Sequence, residues 1–306
     1  MRNLPLAALA LVCSLAAGPA SCADAAPPDG GRYLEVDGAR LYVEVSGSGA
    51  PLVFLHGGVV YFDNAFAAQR DYFASFRTVI GIDRRGHGHS PDDARPFSYQ
   101  AMADDMAAVI RQLGVGPVDV IGHSDGGNVG LILAHDHPEL VRRLVVSGAN
   151  LRSGLSAAEY ERHRNGSAQQ TEEAVHRLAQ RLPPAFRPDY ERVAPDARSA
   201  SSATAAAARG DERWWTFLTK SYWLWLTPVV IATADLKAIE APVLVMAGDH
   251  DFTPIEETLE LFRNLPHGEL FILPGTGHGT MQERPVLVNL AMREFLGRAD
   301  ATRPSR

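Results

Sequence analysis

The 306-residue chain has only two cysteines, Cys13 and Cys22, both near its start. Nothing downstream can build a disulfide framework or a thiolate metal site, and no thiol is left to serve as a nucleophile. Positive charge is scarce too: 29 Lys and Arg stand against 36 Asp and Glu, a formal net charge of −7. Without a basic block, a nucleic-acid partner held by phosphate neutralisation is disfavoured. The apolar run over residues 4–17 falls short of the roughly 20 residues that a membrane-spanning helix needs. What remains is 46% hydrophobic and 21% charged, a composition that builds a core and does not read as disordered.

The first 26 residues run from one positive charge through the apolar stretch to small residues. That is the order of a secretory leader. Ala23-Asp24-Ala25 supplies a cleavage site, so the mature chain is expected to begin at Ala26 and to be exported, periplasmic or secreted. The alternative is a lipid anchor on Cys22, which follows Ala20-Ser21, although Pro19 stands where such a signal carries Leu or Val. Arg2 and Asp24 cancel, so loss of residues 1–25 leaves the net charge unchanged.

No internal repeat is present. Residues 33–36 and 40–45 alternate in a strand-like way around Asp37-Gly38, a hairpin signal. Residues 51–55, 78–82, 118–122, 144–147, 243–247 and 270–273 are short apolar or β-branched runs without alternation. Strands buried on both faces of a parallel sheet read this way. Helical patterns lie between them, at 64–73, 99–113, 127–135, 255–264 and 285–295. The expected fold is α/β: a mostly parallel eight-stranded sheet with helices on both faces. Its core spans 26–150 and 236–298, with a short tail at 299–306. Residues 151–235 break the rhythm. They are rich in Arg, Glu, Ala and Pro, contain a Ser/Ala stretch at 199–209, and carry all four tryptophans between 214 and 225. They read as a helical cap over one end of the sheet.

Gly122-His123-Ser124-Asp125-Gly126 matches G-x-S-x-G between an expected strand and an expected helix. In that context the glycines allow a sharp turn that lifts the Ser124 hydroxyl above the sheet. A serine nucleophile needs a base, and the base needs an orienting carboxylate; the elbow motif predicts the chain order Ser, acid, His. Gly248-Asp249-His250-Asp251 and Gly275-Thr276-Gly277-His278 follow the last two strands, at the strand C-termini where such folds place reactive groups. His278 is the expected base and either Asp251 or Asp249 the acid. His56-Gly57-Gly58 follows the strand at 51–55, where an oxyanion-binding loop belongs. Its backbone N–H at Gly58, with that of Asp125, would stabilise a tetrahedral oxyanion.

These segments, with Asp83-Arg84-Arg85-Gly86-His87-Gly88-His89-Ser90, resemble the α/β-hydrolase superfamily and its cap-bearing, esterase-like branch. The resemblance runs from about Tyr33 to Leu296. It implies that the acid is Asp251 and the histidine His278, that Asp83 and Arg85 shape a loop, and that no cofactor is required. The expected reaction is hydrolysis of a small carboxylic ester. Amide, thioester or C–C bond cleavage with the same triad, and a low-turnover binding module, are the alternatives. His56-Gly57-Gly58 continues with Val59-Val60 where the proline-iminopeptidase type often has Pro-Gly, which lowers the peptidase reading.

Several residues admit two readings. His56, His87, His89 and His123 lack the Cys or paired-carboxylate spacing of a metal site. His123 is a candidate to line the site through its place beside Ser124, as are Trp214, Trp215 and Trp223 from the cap. Asp125 is either a favourable charge at a helix N-terminus or a receptor for a cationic part of the substrate.

Overall fold

The computed structural model describes residues 30–194 and 203–298. The expected leader with Cys13 and Cys22, the tail, and the first part of the Ser/Ala stretch lie outside the described residues. Eight strands form one sheet: β1 (Arg32–Val36), β2 (Ala39–Gly47), β3 (Pro51–Leu55), β4 (Thr78–Asp83), β5 (Val118–His123), β6 (Val141–Ser147), β7 (Val243–Gly248) and β8 (Gly268–Leu273). Their spatial order is β1-β2-β4-β3-β5-β6-β7-β8. The first two strands pair antiparallel, as do β2 and β4, and every later pairing is parallel.

Asp37 (φ 45°) and Gly38 (φ 71°) close the β1–β2 hairpin with both central residues left-handed, the backbone a two-residue turn needs to match strand twist. The central strands β5 and β7 are buried at every position, so they carry continuous apolar runs instead of alternation. Asp119 inside β5 is the exception, neutralised there by Arg77 and Arg142.

Successive side chains of each strand feed opposite faces. Val53 and Leu55 pack with α2 (Tyr99–Leu113) and α3 (Asp125–Asp136), whereas Leu52 and Phe54 pack with α1 (Phe62–Ala74) and with the C-terminal helix Pro285–Leu296. Helix α2 begins at Ser98, whose hydroxyl accepts from the Ala101 N–H, and ends at left-handed Gly114. These are the polar start and glycine stop that satisfy orphan backbone groups.

After β6 come the helices α4 (Ala157–Arg164), α5 (Ala168–Ala179), α6 (Phe186–Val193) and α7 (Ala203–Trp225). A short helix α8 (Thr233–Leu236) leads into β7, and α9 (Ile255–Asn264), α10 (Thr280–Glu283) and α11 (Pro285–Leu296) complete the chain. Side chains tie the insertion to the sheet end. Lys220 Nζ lies 2.8 Å from both oxygens of Asp92, Arg192 donates to the Tyr61 hydroxyl at 2.8 Å, and Trp225 reaches Asp125. Among the described residues no helix is long and apolar enough to cross a membrane.

Candidate active site

Ser124 sits between the end of β5 and the start of α3 with φ 54° and ψ −123°, a backbone conformation that costs a non-glycine residue about 1–3 kcal/mol. The surroundings hold it there. Its N–H donates to the Ser147 carbonyl at 2.8 Å, and its own carbonyl accepts from Gly127 and Asn128. The motif glycines are needed for close approach rather than for flexibility. A Cβ on Gly122 would lie 2.3 Å from the Gly126 carbonyl oxygen, and one on Gly126 1.9 Å from that of Leu55. Ser124 itself is half-buried while residues on both sides are buried, so the turn presents one side chain and hides the rest.

The loops after β7 and β8 bring two further groups to the same end of the sheet. His278 Nδ1 lies 2.8 Å from Asp251 Oδ1, and that oxygen also accepts from the Thr253 N–H at 2.9 Å. With the carboxylate ionised, Nδ1 is the donor and Nε2 keeps its lone pair. Burial pushes the Asp251 carboxyl up, but the hydrogen bond and charge of His278 and the Thr253 N–H outweigh it and hold it below the usual carboxylate range. Asp249 is turned elsewhere: its Oδ1 accepts from the Thr276 N–H at 3.2 Å, joining the two loops. The acid against His278 is therefore Asp251. No hydrogen bond joins Ser124 Oγ to His278 among the described residues.

His278 has two aromatic neighbours, Phe252 at 4.0 Å and His123 at 5.0 Å between ring centroids. Phe252 is 77% exposed and so forms the open rim of the site. His123 is buried. Burial first, and then the charge of His278, push its imidazole down to about 3, so it stays neutral beside the other histidine. Gly148, just past β6, lies against the His–Asp pair. A Cβ there would stand 2.8 Å from His278 Cε1 and 3.2 Å from Asp251 Oδ2.

The glycine loop after β3 touches the elbow. A Cβ on Gly57 would be 3.3 Å from Ser124 Cβ, and one on Gly58 2.7 Å from Asp125 Oδ2. Both oxygens of the buried Asp125 carboxylate are engaged: Oδ1 accepts from the Tyr99 hydroxyl at 2.8 Å and Oδ2 from Trp225 Nε1 at 2.9 Å. The carboxylate thus links the elbow to α7, and it is not presented to a cationic substrate. Asp83 accepts from the Phe62 and His89 N–H groups, and Arg85 pairs with Asp105 and Asp93, so both brace the loop after β4.

The tryptophans divide differently from the expectation. Trp214 packs on Tyr190 and Phe217, Trp215 on His176, and Trp223 on Tyr160 and Tyr222, all contacts inside the insertion. The tryptophan that reaches the elbow is Trp225. A helical signal for it exists in the sequence: Trp214, Phe217, Leu218, Ser221 and Trp225 fall on one face at i, i+3, i+4, i+7 and i+11. Arg84, Tyr99, Gly148 and Phe252 were also not singled out by the motifs. Among the described residues no group of three His, Cys, Asp or Glu converges to hold a metal.

Residues 50–285 match the family described as the alpha/beta hydrolase fold, and the chain belongs to that family. It is 28% identical to the 2-hydroxymuconate semialdehyde hydrolase of Pseudomonas sp. (strain CF600), an alignment covering 90% of this chain and 96% of that protein. It is 26% identical to an esterase of Mycobacterium tuberculosis over 81% of this chain and 83% of the other. The solved meta-cleavage product hydrolase of Pseudomonas fluorescens IP01 superposes with a TM-score of 0.65, covering 87% of this chain and 97% of that one, at 18% identity, a likeness of fold. Family and relatives together support hydrolase activity.

Proposed function

We propose that the protein is an exported serine hydrolase that cleaves a small carboxylic ester through an acyl-enzyme. The observation that carries this reading is the 2.8 Å contact of His278 Nδ1 with Asp251, made at the sheet end where a strained serine turn lifts Ser124. His278 Nε2 takes the proton as Ser124 Oγ attacks the carbonyl carbon. The backbone N–H groups of Gly58 and Asp125 receive the oxyanion. The tetrahedral adduct collapses, His278 protonates the departing alcohol, and the acyl group remains on Ser124. Water, deprotonated by His278, then attacks the acyl carbon and releases the acid. The insertion acts as a cap, with Phe252 and α7 bounding the entrance.

A second reading, hydrolysis of a C–C bond next to a carbonyl, is favoured by the relative named as a 2-hydroxymuconate semialdehyde hydrolase. Asp125 as a receptor for a cationic part of the substrate, which an aminopeptidase-like reading could use, is disfavoured because its oxygens already accept from Tyr99 and Trp225.

A fluorophosphonate probe is expected to label the wild-type protein once and to leave Ser124→Ala unlabelled. Turnover on short aryl esters should fall at least about 10⁴-fold in that variant. A panel of aryl esters, lactones and 2-hydroxymuconate semialdehyde separates the two readings by relative kcat/KM. Absence of labelling in folded wild-type protein would overturn both. The mass of the mature N-terminus tests export and decides between cleavage before Ala26 and a lipid on Cys22.

A further inference from the structure

Arg84 is fully buried, yet its hydrogen bonds go to neutral partners. Nη2 donates to the Gly57 carbonyl at 2.8 Å and Nη1 to Met102 Sδ at 3.2 Å, while Nε has no partner among the described residues. A buried cation without a bonded carboxylate is costly, and an apolar side chain of similar length would fill the space more cheaply. What the guanidinium adds is a donor and a charge behind the glycine loop.

We propose that Arg84 is a positioning residue that aims the Gly58 N–H at the reacting carbonyl oxygen and sets a positive charge behind the glycine loop that abuts Asp125; this rests on the serine-hydrolase reading above. The Gly57 carbonyl and the Gly58 N–H belong to one planar trans peptide and point in opposite directions. Two donors fix the carbonyl: Arg84 Nη2, and His56 Nδ1 at 2.8 Å. His56 Nε2 accepts from the Arg84 N–H at 3.0 Å, which leaves the proton on Nδ1. With its carbonyl turned toward Arg84, the peptide turns its N–H away from Arg84. The same loop abuts Ser124 Cβ and the Asp125 carboxylate.

The charge matters as much as the direction. Asp125 places a buried carboxylate one residue past the nucleophile, where it opposes a developing oxyanion. Arg84 supplies the opposite sign: burial pulls its guanidinium below the usual arginine range, and the charge of Asp125 works against that. Preorganised positive potential of this kind acts on the transition state and little on the bound ester.

The test compares wild type, Arg84→Met and Arg84→Lys on the best aryl ester, with a boronic acid as a tetrahedral adduct former. Arg84→Met should lower kcat about 10²–10³-fold with KM within about threefold, and boronate affinity should fall by the same factor as kcat/KM. Arg84→Lys, which keeps the charge and one donor, should recover part of both. A purely structural role would lower the melting temperature without making boronate affinity track kcat/KM. Undiminished kcat, or boronate affinity that does not follow kcat/KM, overturns the assignment. If Arg84→Met does not fold, the same comparison is made on Arg84→Lys, expected between wild type and the loss stated. A wild-type protein that neither labels nor turns over esters fails the serine-hydrolase reading itself; active wild type with an equally active variant fails Arg84 alone.

Discussion

Gly148 occupies a position where a single methyl group would be felt at the proposed base. Its φ of +64° is left-handed, and a Cβ would press on His278 at 2.8–3.0 Å. Alanine there combines backbone strain of about 1 kcal/mol with displacement of the imidazole, and misplacing a catalytic group by about 1 Å costs up to about 10²-fold in rate. Gly154 is the matched control: φ +84°, with no described residue within 4 Å of its virtual Cβ. Gly154→Ala should lower the urea midpoint and leave kcat intact, whereas Gly148→Ala should lower both. Equal kcat in the two variants would separate Gly148 from the site. Neither glycine could be read this way from the sequence, because Ser147-Gly148-Ala149 carries no motif and its proximity to His278 is set by the pairing of β6 with β7.

At the scale of elements, α7 reaches the elbow through the hydrogen bond from Trp225 Nε1 to Asp125 Oδ2, just over one turn beyond the Lys220 contact with Asp92. Trp225→Phe keeps the ring and removes the donor, leaving that oxygen of a buried carboxylate unmet. The expected loss is about 1.5–3 kcal/mol, read from denaturant midpoints. Combined with Asp125→Asn, the two changes should be non-additive by at least about 0.5 kcal/mol, and simple additivity would show that the contact is not formed in solution. The strands were legible because buried parallel strands have only one way to be written, and the serine, histidine and glycine-loop segments were legible because each follows a strand end. The insertion was not. The rotation of α7 about its axis comes from packing against Tyr190 and the loop after β4, so which tryptophan faced inward was open even though the stripe was present. Arg84 and Arg85 look alike in sequence, and only the fold buries one beside Gly57 while the other meets Asp105.

For the molecule as a whole, three buried histidines govern acid stability. His56 and His87 are held well below their ordinary range, first by burial and then by the charge of Arg84, and His123 is pushed down to about 3. Below the unfolded value near 6.5, the unfolded chain binds protons that the folded chain refuses, so stability falls as pH falls. Each such group contributes a slope of up to about 1.4 kcal/mol per pH unit, and three together about 4, between roughly pH 6 and the lower folded values. Against a total stability of about 5–15 kcal/mol, unfolding is expected before the carboxylates titrate. His87 isolates one of the three terms. Its ring lies among Phe97, Phe217 and His56, Nε2 is buried without a partner among the described residues, and Nδ1 bonds the Arg85 carbonyl at 2.9 Å. His87→Phe should therefore cost about 1 kcal/mol at pH 7.5 through the lost hydrogen bond and reduce the acid slope by about 1.4 kcal/mol per pH unit. Urea midpoints at pH 7.5, 6 and 5 should then cross, the variant becoming the more stable protein about one unit below the histidine range. Parallel curves would mean that His87 takes up its proton in the folded state.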